Sequence, residues 1–199
     1  MPRLVLLLLL PLALTACAGQ RAATSSEPLT YTVADIDARG VGGHFAFFSL
    51  RENRLVPVAD SASTAWDLAF RSTTVLVNGG TSGPGMGGAV VLEDTNFAAV
   101  TEAPADEAFA ADTGTDRTET AIPGGAGNGW YDYDFVSGIV SPRPVVLAVR
   151  TADGRYAKVE IQSYYLGAPA LADLDPSKNF RYYTFRVLFQ PDGSRRLEG

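Results

Sequence analysis

The chain has 199 residues, 46% of them hydrophobic and 19% charged, a composition that excludes a disordered protein and fits one globular domain, with room for a small appendage. Its 20 glycines and 12 prolines exceed what a helix bundle tolerates, so the pattern points to a loop-rich β protein. A formal net charge of −6 argues against neutralising nucleic-acid phosphates or clinging electrostatically to anionic lipid, and no nucleic-acid partner is expected.

Residues 1–16 read as a lipoprotein signal peptide. Arg3 supplies the positive end, and an apolar run reaches Leu14 with Pro11 inside it. That run of about a dozen residues falls short of the roughly 20 needed to span a bilayer. Leu14-Thr15-Ala16-Cys17 looks like a bacterial lipobox, which makes Cys17 the expected lipidation site, carrying palmitate or a similar acyl chain. Cys17 is the sole cysteine, so an intrachain disulfide and a thiolate metal cluster are both excluded. Ala18, where an Asp would favour inner-membrane retention, points to an outer-membrane lipoprotein touching the membrane through its anchor alone. Residues 17–29 lack apolar periodicity and read as the lipidated Cys with a flexible linker, leaving residues 30–199 for a single domain.

From residue 31 onward, apolar residues recur at period two or in short runs bounded by Gly, Pro, Asn and Asp. This predicts strands at 45–50, 66–70, 73–77, 89–92, 130–136, 145–150, 156–163 and 180–190, hence an all-β, antiparallel-rich fold. Trp66, Leu68 and Phe70 share one face and imply a core beneath it, with Asp67 and Arg71 on the other. Tight hairpins are expected at Thr151-Ala152-Asp153-Gly154 and again at Pro191-Asp192-Gly193. Helix is limited to short turns within 103–111 and 169–174. Half of the glycines fall in residues 78–88 and 124–129, and the first of these clusters reads as a looping excursion between strands.

Gly83-Pro84-Gly85-Met86-Gly87-Gly88 matches G-x-G-x-x-G formally, but a strand rather than a helix follows it, so dinucleotide binding is rejected. His44 is the only histidine and no serine sits in a G-x-S-x-G elbow, so hydrolase chemistry is a poor fit. Asp112, Asp116 and Glu119, or Asp132 and Asp134, could supply oxygen to calcium, yet none has the spacing of a calcium loop and solvated carboxylates are the simpler reading. Asp132 and Asp134 share a strand face, which invites a two-carboxylate glycosidase but equally describes a wet face. Tyr131, Tyr133 and Phe135 opposite them, with Tyr164, Tyr165, Tyr182 and Tyr183, suit core packing or the lining of a flat apolar site.

Four stretches taken together resemble the HmuY family of outer-membrane haem-binding lipoproteins. They are His44-Phe45-Ala46-Phe47-Phe48-Ser49-Leu50, Trp66-Asp67-Leu68-Ala69-Phe70-Arg71, Asn78-Gly79-Gly80-Thr81-Ser82-Gly83 running on to Gly88-Ala89, and Tyr182-Tyr183-Thr184-Phe185-Arg186. The likeness extends over most of residues 31–197. It implies an all-β body with few short helices that is not an enzyme, binds haem or a related porphyrin, and hands it to an outer-membrane uptake receptor. The ligands depart from the family's two-histidine pattern, because only His44, and Met86 once Met1 is removed, remain as conventional axial donors, together or with a Tyr. Met86 sits among glycines that would let the backbone approach a flat ligand, or else fills a gap under the loop. His44 at a strand start is as ordinary for an exposed imidazole as for a ligand. Arg71, Arg150 and Arg186 could meet the propionates, and haem shared between two chains would escape the one-histidine limit. The alternative is a lipid-anchored envelope interaction protein of the same fold that has lost haem binding.

Overall fold

The computed structural model describes residues 27–114 and 118–199. The expected signal peptide, Cys17 and linker residues up to 26 lie outside the described residues, as does Asp116. Eleven strands run in order among those described: β1 (Leu29–Asp37), β2 (Ala46–Ser49), β3 (Arg54–Val56), β4 (Leu68–Arg71), β5 (Thr74–Val77), β6 (Gly88–Leu92), β7 (Tyr131–Asp134), β8 (Ile139–Pro142), β9 (Val146–Arg150), β10 (Tyr156–Tyr165) and β11 (Phe180–Gln190). Every pairing between them is antiparallel. The order is β1-β11-β10-β9-β6 in a five-stranded sheet, β3-β2-β4-β5 in a four-stranded one, and β7-β8 in a separate hairpin. The fold is therefore all-β.

The two large sheets face each other across the main core. Phe48, Leu68, Phe70, Val75 and Val77 come from the four-stranded sheet, and Val149, Val159, Tyr183, Phe185 and Val187 from the five-stranded one. Phe185 stacks on Phe70 at 5.3 Å and meets Phe48 edge-on at 5.5 Å, the offset and T-shaped arrangements that aromatic quadrupoles favour. The five-stranded sheet is covered on its back as well. Phe97, Val100, Ala103 and Phe109 from the β6–β7 connection, with Leu197 of the C-terminal tail, bury Val146, Ala148, Tyr156 and Leu188. Burial on both faces explains why β9 reads Val-Leu-Ala-Val as an unbroken apolar run rather than an alternation.

Several expectations need correction. Trp66 does not share the core of Leu68 and Phe70; with Ala69 and Val56 it packs on the outer side of the four-stranded sheet against Phe47. Asp67, expected on the polar face, is buried, because both faces of this segment are covered. The β9–β10 hairpin forms around Gly154 as predicted, with Arg150 opposite Tyr156. The turn at 191–193 exists, but the chain after it does not pair back onto β11; it bridges Glu102 to Arg196 and closes the back cover. The helical stretches shrink to three-residue 3-10 turns, Asp106–Ala108 and Leu171–Asp173. In the first, Phe109 is drawn into the back core and Ala110 bridges to Ala89, which extends the backbone. β1, β3 and β8 were not among the predicted strands, and β1 begins one residue inside the expected linker.

Candidate functional site

The β7–β8 hairpin is anchored at its base and open at its tip. Trp130, immediately before β7, donates its indole N–H to the Thr73 carbonyl at 3.0 Å in the two-residue β4–β5 turn. The backbone N–H of Arg143, just after β8, returns to the Trp130 carbonyl at 2.9 Å. Against β10, the backbone N–H of Val140 donates to the Tyr165 hydroxyl at 3.0 Å. At the tip, Asp134 accepts from the Val136 N–H at 2.8 Å and the Ser137 hydroxyl at 2.7 Å, tying off the turn and leaving Phe135 and Val136 86% and 98% exposed.

Between this hairpin and the β10–β11 connection opens a cleft of about 490 Å³, within the roughly 300–1,000 Å³ usual for small-molecule sites. Tyr131, Tyr133 and Phe135 line it from β7 and its turn. Tyr164 and Tyr165 line it from the end of β10, and Phe180 and Arg181 from the start of β11. Ser72 and Thr73 of the β4–β5 turn, with Gly125 and Ala126, complete the wall. Beneath lies an aromatic cluster in which Trp130 contacts Tyr131 at 4.9 Å and Tyr183 at 5.1 Å, and Tyr164 meets Tyr183 edge-on at 5.4 Å. Burial pushes the Tyr164 phenol above its ordinary pKa, an effect that the Ser72 hydroxyl and the Arg181 charge partly offset. Chemically, the cleft offers flat apolar walls, several phenols and one guanidinium. That set suits a planar, largely apolar guest carrying anionic groups.

The predicted ligands are not part of this cleft, nor are they brought together. His44 is exposed beside Gly42, at the end of β4 where Arg71 donates to the Gly43 carbonyl at 2.7 Å. Met86 is 59% exposed at the opposite end, over Gly154 of the β9–β10 turn, with its N–H on the Ala152 carbonyl at 2.9 Å. The length of β4 and its flanking residues, at about 3.3 Å per residue, separates them by far more than two metal bonds of about 2 Å each allow.

The glycine-rich loop is closed on itself. Buried Asn78 donates to the carbonyls of Ser63 (2.9 Å) and Trp66 (2.8 Å), accepts from Gly85 N–H at 3.0 Å on its side chain, and receives Gly87 N–H at 2.8 Å on its carbonyl. A methyl group at Gly83 would lie 2.1 Å from Asn78 Oδ1, and one at Gly79 would lie 2.1 Å from the Gly87 carbonyl. The glycines thus serve contact within the loop, not the approach of a ligand.

The other candidates are also accounted for. Arg150 donates to the Met86 carbonyl at 2.8 Å, Arg186 stacks on Phe97 at 3.7 Å and Arg71 on Phe45 at 4.1 Å, so none of the three lies in the cleft. Arg181, which sequence reasoning did not single out, is the one that does. Asp112 is neither solvated nor ligand-like: it is buried and accepts from the N–H groups of Ala121 (2.7 Å) and Val77 (3.1 Å). Asp132 and Asp134 stay exposed on the outer side of β7, away from the tyrosines. The aromatic residues of 130–135 and 164–165 were visible in the sequence, but only the docking of β8 on β10 makes them a site.

The HmuY protein family model matches residues 43–172. The apo HmuY analog of Tannerella forsythia aligns at a TM-score of 0.58 and 15% identity, over 85% of this chain and 100% of its own. A protein of Bacteroides vulgatus ATCC 8482, provisionally described as HmuY-like and heme-binding, aligns at 0.52 and 19% identity, over 83% and 93%. A provisionally named lipoprotein of Bacteroides fragilis NCTC 9343 aligns at 0.50 and 17% identity, over 83% and 92%. No curated protein matches the chain.

Proposed function

Because this chain belongs to the HmuY family, we propose that it is a non-catalytic carrier of haem or a related porphyrin, and that the cargo sits in the cleft between the β7–β8 hairpin and the β10–β11 connection. The observation that carries this reading is the convergence of Tyr131, Tyr133, Phe135, Tyr164, Tyr165 and Phe180 on one open cleft with a single guanidinium, Arg181, in its wall. Aromatic faces match a porphyrin's π surface, and Arg181 suits a propionate. The heme-binding description carried by the Bacteroides vulgatus neighbour supports the same cargo.

The carrier is further proposed to be exported by residues 1–16, lipidated at Cys17, held at the outer membrane by that anchor and engaged by an uptake receptor. The lipobox pattern and the lipoprotein name of the Bacteroides fragilis neighbour support this location. Adding hemin to the purified protein and following the Soret band tests the cargo: a saturable red shift is expected, and a spectrum identical to hemin alone overturns the reading. One observation favours the second reading, an anchored interaction protein without haem: the residues lining the cleft include neither histidine nor methionine. In that case hemin titration stays flat while the fold is intact.

A further inference from the structure

Resting on the carrier reading, we propose that the cleft selects ferric haem, with the phenolate of Tyr133 as its axial ligand. The iron of a porphyrin seated here needs a donor that faces the opening and is not already engaged, and the lining offers oxygen donors only. Tyr131, Tyr164 and Tyr165 are each buried to 4% exposure or less, and the Tyr165 hydroxyl is held by the Val140 N–H. Tyr133 is 38% exposed. Its ring stands edge-on to Phe135 at 4.9 Å, and its hydroxyl lies beside Gly138 where that glycine approaches Pro176, at the mouth between the two walls.

Phenolate is a known axial donor to haem iron, and as a hard anion it binds the trivalent ion better than the divalent one. On coordination the phenol O–H bond breaks, its proton passes to solvent, and an Fe–O bond forms with no change in oxidation state. A cleft with phenols but no imidazole or thioether is thereby built for hemin and poorly built for its reduced form.

The test compares hemin with iron-free protoporphyrin IX on the wild type and on Tyr133→Phe, whose half-exposed ring keeps the fold, as circular dichroism checks. Tyr133→Phe is expected to lose about tenfold or more in hemin affinity, or over about 1.4 kcal/mol, and to keep its protoporphyrin IX affinity. The wild-type complex is expected to show a high-spin ferric tyrosinate spectrum and to release haem when dithionite reduces the iron. Tyr133→His should restore hemin binding with a histidine-type spectrum. Unchanged hemin affinity in Tyr133→Phe, equal loss of both porphyrins, or equal affinity for reduced haem each overturns the inference while leaving the carrier reading intact. Failure of the wild type to bind either porphyrin overturns the carrier reading and this inference with it.

Discussion

Oδ1 of Asp67 accepts the backbone N–H of Ala152 across 2.9 Å, although the two residues are 85 positions apart. Oδ2 of the same carboxylate takes the N–H of Leu50 at 2.7 Å. One buried side chain just before β4 thus ties the end of β2 to the β9–β10 turn and stitches the two large sheets together. Asp67→Asn places an amide N–H against one of these donors, and a buried unsatisfied group costs about 1–3 kcal/mol. Urea unfolding of the variant is expected to show a loss in that range with an unchanged m-value.

The same carboxyl predicts a pH dependence. Burial raises the Asp67 pKa above its ordinary value, although the two N–H groups work against it. With the folded value above the unfolded one, its contribution is complete below the unfolded value, about 3.9, and is lost as pH rises through the folded value. The stability gap between wild type and Asp67→Asn should therefore widen as pH falls from 7 toward 4. A gap that narrows on acidification contradicts this.

Met86→Ala and His44→Ala remove exposed side chains outside the cleft. Each is expected to leave hemin affinity within about twofold of wild type, since surface changes of this kind stay within about 0.5 kcal/mol. Loss of binding in either variant, read by Soret titration, would return the cargo to the ends of β4.

Asn78→Ala removes two donors and the acceptor that gather the glycine-rich loop. With buried partners left unsatisfied, a loss of about 2–4 kcal/mol is expected in thermal or urea unfolding. The folded fraction should still bind hemin.

Arg181→Gln keeps much of the side chain's length and removes its charge beside Tyr164. Hemin affinity is expected to fall about three- to tenfold at low ionic strength, with the difference shrinking in high salt as screening weakens the wild-type pair. Calorimetry at two salt concentrations reads both effects.

On the back of the five-stranded sheet, buried Lys158 donates to the carbonyls of Phe97 and Val100, each at 2.7 Å. Lys158→Met keeps the bulk and strands both carbonyls, which should cost about 1–3 kcal/mol. Faster hydrogen exchange is expected in residues 93–109, with β10 and β11 still protected.

Short alternating or unbroken apolar runs bounded by turn residues made β11 legible over its full span and β4, β5, β9 and β10 nearly so. They could not show that Asp67 lies between two covered faces, since period two describes one strand and not what packs on either side. β1 escaped because its alternation of Leu29, Tyr31 and Val33 with threonines is broken by the irregularity between Val33 and Ile36, and β8 because it is short and ends in Pro142. A cluster of glycines is equally consistent with a backbone that meets a ligand and one that meets itself. The positions of Asn78 and Gly87 decide for the second. Arg181 could not be told from Arg71, Arg150 and Arg186 without knowing which strand end borders the hairpin.

β1 enters the five-stranded sheet at Leu29, opposite Phe189, whereas β11 starts at Phe180 beside the cleft. Nine steps at about 3.3 Å set these two poles some 30 Å apart. β1 therefore starts at the pole away from the cleft, and the proposed attachment through Cys17 would leave the cleft's mouth unobstructed.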